Sequence, residues 1–423
     1  RIFTKKFSIC YSYCFNITEE EPERRILLVG RDIFGRQSLV MAKTDQSFFF
    51  GVRVDLSALL DWREIPFGHV IAFDFANDVQ VIRHYADIEG QSLYQDSFRE
   101  VKVIQSDRKR EMLNITRESS SSDVDYATEL LERTTEAVRI AFDSASEHIG
   151  VCFSGGVDST FVAHAVHSAA PAHFRIDLIN VAFGSSSEDF EKAPDRTRAL
   201  LSFKSLEGKY PSREFRLILV NVGSEEMSQN RQEFIANAVL PATSVLDESL
   251  GVVLWFALRG RGVVYQTGEA VETPAKMMFL GSGADEVFAG YARHRTRFER
   301  DRSNIVVAEE CEKELRRLGS RNGGRDARVA AQLGKIIVSP ILDDKVVSWA
   351  NQIPVNAKWD LAFPRGVGEK KIIRDALRKL GSPHEAPKQA MQFGSRMAKM
   401  SNENSNTKGS DSSPRLEALL QEQ

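Results

Sequence analysis

The sequence predicts an α/β fold, a doubly wound parallel sheet, preceded by a smaller β-rich domain. Three observations carry this expectation. From about residue 124 onward, apolar runs of strand length alternate with stretches of helical periodicity, a pattern that builds parallel sheets covered on both faces. Residues 1–103 instead hold short apolar runs broken by turn residues, as in an antiparallel sheet. Two glycine-rich loops, Ser154-Gly155-Gly156-Val157-Asp158-Ser159 and Gly281-Ser282-Gly283-Ala284-Asp285-Glu286, each follow an apolar run and precede a helical pattern.

In order, Ile26–Val29 and Leu39–Ala42 flank a polar turn, Gly30–Arg36, in which Arg31 and Asp32 are expected to hold a hairpin. Phe48–Val52 and Val70–Phe73 supply further strands. Residues 104–123 turn polar and end in Ser119–Ser122, which marks a linker. The second domain is expected over 124–400. A helix at about 124–142 leads into the strand Ile149–Phe153. Phe161, Val162, Ala165 and Val166 then repeat at helical spacing. Ile176–Phe183, Phe215–Val222 and Lys276–Leu280 read as buried strands, and Val287, Phe288, Tyr291 and Phe298 as one helix. Residues 401–423 are polar and expected to be a disordered tail.

The whole chain narrows the function classes. Its 423 residues imply two or three domains. With 42% apolar and 27% charged residues and a net charge of −3, it lacks the basic surface that nucleic-acid partners favour. Of the cysteines, Cys10 and Cys14 sit in an aromatic strand-like stretch and are expected to pack, not to ligate metal. No apolar run approaches the ~20 residues that cross a bilayer, and no leader is visible, so a cytoplasmic protein without a membrane partner is expected. Because Arg1 opens the chain inside strand-like sequence, a fragment is expected.

The first loop is chemically explicit. A strand, a Gly-Gly turn and a helix N-terminus direct free N–H groups and the positive helix end to one point, where an anion binds. Gly155 and Gly156 let backbone approach a phosphate, Ser154 and Ser159 add hydroxyls, and Asp158 suits a Mg²⁺ shared with the phosphates. The run lacks the lysine of a Walker loop and resembles the PP-loop of ATP pyrophosphatases, which hold the β,γ-phosphates while a nucleophile attacks the α-phosphate. In a parallel sheet the second loop shares the same carboxyl edge, so Asp158 and Asp285 face one phosphate chain.

Together the two loops resemble the synthetase domain of the asparagine synthetase family. Pro340-Ile341-Leu342-Asp343, Gly368-Glu369-Lys370 and Pro387-Lys388 through Gly394 match further family segments in the same order, and Arg31-Asp32-Ile33-Phe34-Gly35 resembles a hairpin of its glutamine amidotransferase domain. The resemblance implies an adenine nucleotide alpha hydrolase-like synthetase domain preceded by part of an α+β, Ntn-type amidotransferase domain. It implies nucleotide contacts from Cys152, Ser154, Gly155, Gly156, Asp158, Ser159, Val181, Gly281 and Lys370, with Mg²⁺ on Asp158 and Asp285. Lys388 would neutralise the α-phosphate and the leaving pyrophosphate. The implied reaction of asparagine biosynthesis adenylates aspartate with ATP, then lets glutamine-derived ammonia displace AMP.

Two departures qualify that expectation. Ser282 stands where the family carries a glutamate that handles the nitrogen nucleophile, and serine is no base near neutral pH. The family's N-terminal nucleophilic cysteine is not among these residues, and Cys10 and Cys14 do not replace it, so glutamine hydrolysis is expected to need residues beyond this sequence. A nucleotide-binding homologue that acts through interactions is therefore the alternative. His164 and His167 are expected to be solvated or capping. Arg293, Arg295 and Arg297 either neutralise phosphate or form a solvated face.

Overall fold

The computed structural model describes residues 13–18, 25–44, 47–55, 60–74, 79–84, 101–105, 124–142, 147–382, 384–400 and 408–421. The N-terminal part contributes β1 (Tyr13–Thr18), β2 (Arg25–Gly30), β3 (Val40–Lys43), β4 (Phe48–Gly51), β5 (Arg63–Glu64), β6 (His69–Asp74), β7 (Val79–His84) and β8 (Val101–Gln105). One sheet runs β1-β2-β6-β7-β8 and a second β4-β3-β5. All pairings are antiparallel, as the turn-separated runs predict, except β7 with β8. Because β8 continues through Gln105, the expected linker gives up its first two residues to a strand; 106–123 and Cys10 lie outside the described residues.

The expected hairpin between β2 and β3 is a crossover instead, since the two strands belong to different sheets. Local hydrogen bonding explains why the turn is tight all the same. The Asp32 carboxylate accepts from the Phe34 and Arg36 amides at 3.0 and 2.9 Å. Arg31 donates to the carbonyls of Gln37, Ile65 and Gly35 at 2.8–3.0 Å. The same turn is a docking element: Arg31 also reaches the Gly319 carbonyl at 3.1 Å, and Arg36 the Leu342 carbonyl at 2.8 Å.

The second domain is built on β9 (His148–Cys152), β10 (Arg175–Phe183), β11 (Phe215–Val222), β12 (Arg261–Val264), β13 (Ala270–Glu272), β14 (Met277–Phe279) and β15 (Ile336–Val338). Their order is β13-β12-β11-β10-β9-β14-β15. Five strands are parallel to their neighbours, while the hairpin β12–β13 adds an antiparallel edge that the expected all-parallel sheet did not include. A short hairpin needs only a tight turn and no crossover helix, and here the Gly268 amide closes that turn on the Val264 carbonyl at 2.8 Å.

The helices that frame the sheet include α1 (Tyr126–Ala141), α2 (Val157–Ala169), α3 (Pro194–Lys209), α4 (Val245–Arg259), α5 (Ala284–Val287), α6 (Ala292–Asp301), α7 (Lys371–Lys379) and α8 (Pro414–Gln421). The strand period of two sorts β10 between the two faces. Ile176 and Leu178 join one core with Phe161 and Val162 of α2 and Ile373 of α7. Ile179, Val181 and Phe183 join the other with Val253 and Phe256 of α4.

Two further expectations change. The helix expected across Val287–Phe298 is broken: α5 ends at Val287, Ala289 takes a left-handed φ of 54°, and α6 starts afresh at Ala292. Nor is residues 408–421 a disordered tail. Leu416 is fully buried in the second core, the Val245 amide donates to the Asp411 carbonyl at 2.9 Å, and Ser413 and Arg415 donate to buried Glu248 at 2.6 and 2.9 Å. A few apolar side chains suffice when a groove already exists to receive them.

Candidate active site

β9 lies between β10 and β14, with both neighbours parallel to it. Chain order therefore reverses direction at β9–β14, the point in an open α/β sheet where a crevice forms beyond the strand ends. Each of those two strands runs directly into one glycine-rich loop. Between them opens a cleft of about 370 Å³ lined by Cys152, Ser154, Gly156, Asp158, Ser159, Val181, Gly281, Ser282, Asp285, Lys370 and Lys388. Of the site residues expected from the sequence, Gly155 alone is not on that wall. Its φ of +68° and its close approach to the backbone of Ala199 turn the loop from behind.

Within the first loop the Gly156 amide donates to the Ser154 hydroxyl at 3.3 Å. No side chain caps the N-terminus of α2, while the Ser154 and Ser159 hydroxyls sit 3.2 Å apart and the Ser159 hydroxyl donates to the Gly156 carbonyl at 3.3 Å. A thirteen-residue helix thus presents its positive end and two hydroxyls to the cleft. Gly281 is needed for contact between the loops: a Cβ there would lie 2.7 Å from Asp158 Cβ.

At the centre, charge is arranged around one point. Lys370 Nζ donates to both carboxylate oxygens of Asp158, at 2.7 and 2.6 Å, and pairs with Asp285 Oδ1 at 2.7 Å. Lys388 donates to the other oxygen of Asp285. Burial works to raise the Asp285 carboxyl, but Lys370 and Lys388 outweigh it and hold the group well below the carboxylate range. The reverse holds for Lys388, whose burial is outweighed by Asp285 and Asp158, so its ammonium is held above its ordinary value. Asp285 is thereby kept ionised and Lys388 charged.

The acid pair fits a divalent cation. Two hard carboxylates converge on a single ammonium position, and phosphate oxygens entering from the first loop would complete an oxygen ligand set of the kind Mg²⁺ takes. Cys152 offers no competing chemistry, since burial pushes its thiol up to about 12 and leaves it an apolar wall.

Two acids line the cleft without a role expected from the sequence, Asp195 and the Glu286 that closes the second glycine-rich loop. Asp195, on the first turn of α3, pairs with Arg198 at 2.5 Å, yet burial still pushes its carboxyl up to about 6. Glu286 is buried beside Asp285; burial and that neighbouring charge raise its carboxyl, and the Tyr291 hydroxyl donates to it at 2.6 Å. The signal for Asp195 was positional: Pro194-Asp195 opens a helix that follows, after the short helix Ser187–Glu191, the strand that carries Val181. Of the three arginines with two open readings, Arg293 alone lines the cleft and pairs with Glu314 at 2.7 Å. Arg295 is tied to Glu369 at 2.6 Å, and Arg297 pairs with Asp301 at 3.8 Å on the helix surface.

The two histidines of α2 are not solvated caps. His164 is fully buried between the Tyr210 hydroxyl and the Ser382 hydroxyl, at 3.0 and 3.2 Å. His167 stacks on Tyr210 at 3.6 Å and accepts from Arg213. Periodicity placed them on a helix face without saying that a second layer covers it.

Residues 129–337 match the family model described as asparagine synthase. The chain carries an asparagine synthase domain. It is 39% identical to asparagine synthetase domain-containing protein 1 of Mus musculus over 65% of this chain and 49% of that protein. It is 30% identical to asparagine synthetase domain-containing protein YML096W of Saccharomyces cerevisiae over 62% and 50%. Against the putative asparagine synthetase (glutamine-hydrolyzing) 1 of Methanocaldococcus jannaschii the figures are 25% identity over 92% and 70%. The chain spans about half the length of its mouse and yeast relatives. The asparagine synthase domain contains both glycine-rich loops, while Lys370 and Lys388 come from the segment that follows the matched residues. Among the described residues no helix is long and apolar enough to cross a membrane.

Proposed function

We propose that this cleft binds ATP and Mg²⁺ and activates a carboxylate by adenylation, as an asparagine synthetase-like amidoligase with aspartate as acceptor. The observation that supports this reading is the convergence of Asp158, Asp285, Lys370 and Lys388 between two glycine-rich loops on adjacent parallel strands. The α2 N-terminus with Ser154 and Ser159 would hold the β,γ-phosphates, and Val181 and Cys152 would wall the adenine. A substrate carboxylate oxygen bonds to the α-phosphorus as the bond to the bridging oxygen breaks. Pyrophosphate departs with the charge that Lys388 faces. Ammonia then bonds to the acyl carbon, AMP leaves with the former carboxylate oxygen, and one proton is released. Bound Mg²⁺ would supply charge neutralisation of the phosphates. Positive charge already in place where negative charge develops is the largest contribution such a site makes. The β-rich front of the chain is read as part of an amidotransferase domain that delivers the ammonia.

Exchange of labelled pyrophosphate into ATP, dependent on aspartate and Mg²⁺, tests the reading. Folded protein that catalyses no exchange with aspartate overturns it.

A second reading rests on Ser282, which lines the cleft where the family glutamate is expected. Under it, nucleotide binding survives without amide synthesis and the protein works by interaction. Ser282→Glu separates the two: gained asparagine formation identifies an intact adenylating site short of one group.

A further inference from the structure

The backbone of the first loop is held from outside the motif. The Gly155 carbonyl oxygen, behind the anion-facing amides, has His384 Nε2 at 3.0 Å and accepts from the Ser202 hydroxyl at 2.9 Å. His384 Nε2 also lies 2.9 Å from the Ser202 oxygen and 3.4 Å from that of Thr160, on the first turn of α2. Its Nδ1 lies 2.8 Å from the Ser382 carbonyl oxygen. The segment itself is clamped: Arg374, buried on α7, donates to the carbonyls of His384, Ala386 and Glu369. Four residues after His384, the same segment delivers Lys388 to Asp285; at the start of α7, Lys370 bridges Asp158 and Asp285.

From this closed circuit we infer that His384 is a positioning residue for the pyrophosphate end of the site. It locks the Gly155 peptide so that the loop amides face the cleft, and ties that loop to the segment bearing Lys388. The inference rests on the ATP-binding reading above and adds to it a residue outside both loops. The left-handed Gly155 has the freedom to rotate its peptide, since no Cβ opposes it. The Ser202 hydroxyl on α3 donates to that oxygen, and the His384 ring, in the tautomer that carries its proton on Nε2, donates to it from the 384–390 segment; together they remove that freedom. The consequence is selective. A ligand that contacts the loop through its β,γ-phosphates depends on the lock, and a ligand lacking them does not.

Calorimetric titration of the intact chain with Mg²⁺–ATP and with AMP tests this. His384→Ala is expected to weaken ATP about tenfold, the value of one lost hydrogen bond plus a loosened loop, and to leave AMP within about threefold. His384→Gln, which places an amide N–H at a similar reach, is expected to recover most of the ATP affinity. Ser202→Ala removes the other donor to the same oxygen and carries the same test should His384→Ala fail to fold. Wild-type protein that binds no ATP overturns the underlying reading of the site. Wild-type binding with unchanged ATP affinity in the variants, or equal losses for ATP and AMP, overturns the positioning role alone.

Discussion

Removing Lys370 tests the electrostatic argument at its centre. In Lys370→Met the apolar stem length is kept and the charge is lost. The Lys370 side chain is 4% exposed, Asp285 8% and Asp158 22%, so water screens little of what is lost. Stripping one partner from a buried ion pair costs about 3–5 kcal/mol, because the remaining charge stays desolvated. Lys388 still faces Asp285 and softens the loss there, whereas Asp158 gives up both of its bonds to Lys370. The lower end, about 3 kcal/mol, is therefore expected at pH 7. The sign with pH follows from Asp285, whose folded-state carboxyl is held below its ordinary value of 3.8. Such a group adds stability above its unfolded value and loses it as pH falls. The deficit of the variant should be greatest near neutrality and shrink below about pH 4. Urea unfolding of both proteins at pH 7 and pH 4, with and without Mg²⁺, measures it. A divalent ion at about ten times its dissociation constant should return about 1.4 kcal/mol to the variant. A cost under about 1 kcal/mol at pH 7, the range of exposed pairs, or one that does not change with pH, would refute the picture of two acids gathered by one ammonium.

Three further outcomes are expected. His164 is pushed down to about 3 by burial, with Lys209 and neighbouring histidines adding to it. An unfolded histidine takes up its proton from about 6.5 downward, so the wild-type protein should lose about 2 kcal/mol from this group between pH 7 and pH 5, and His164→Gln should lack that part of the slope in thermal unfolding. Leu416→Ala, in the docked C-terminal helix, should cost about 2–4 kcal/mol by opening a cavity in the second core and speed proteolysis of the segment near residue 408. Glu64→Gln should cost about 2 kcal/mol in urea unfolding, since it leaves the fully buried Arg328 guanidinium without its carboxylate across the contact between the two parts of the chain.

Much of the second domain was legible because its strands are buried on both faces and read as continuous apolar runs. Ile176–Phe183 and Phe215–Val222 are found as β10 and β11 almost residue for residue. What escaped was decided between elements. The hairpin β12–β13 is short and largely exposed, so its sequence carries no burial pattern. The break between α5 and α6 rests on the left-handed Ala289, which apolar spacing does not register. The turn at Arg31–Gly35 looked like a hairpin because its internal hydrogen bonds are those of a tight turn. Only the partners at Gly319 and Leu342, about three hundred positions away in sequence, reveal it as a docking element.

The site divides along the same line. The glycines, hydroxyls and Asp158 of the first loop are local, and their chemistry follows from their spacing. Lys370 and Asp285 reach each other across 85 positions of chain, from 285 to 370, and no spacing rule links them; only the resemblance did. His384 had neither kind of signal, being an ordinary residue in an irregular segment until its ring is seen against the Gly155 carbonyl. Ser282 is the reverse case, its departure from the family pattern already plain in the sequence and its place in the cleft given by the structure. There it lines the same cleft as Glu286, a buried carboxyl raised by burial and by Asp285. Glu286 is already engaged, accepting from the Tyr291 hydroxyl at 2.6 Å. On the proposed reading, adenylation would rest on the cations gathered at the cleft, Lys370 and Lys388, while nitrogen transfer would rest on a proton acceptor at position 282. The two half-reactions should therefore be separable in this chain, with pyrophosphate exchange proceeding where asparagine formation does not.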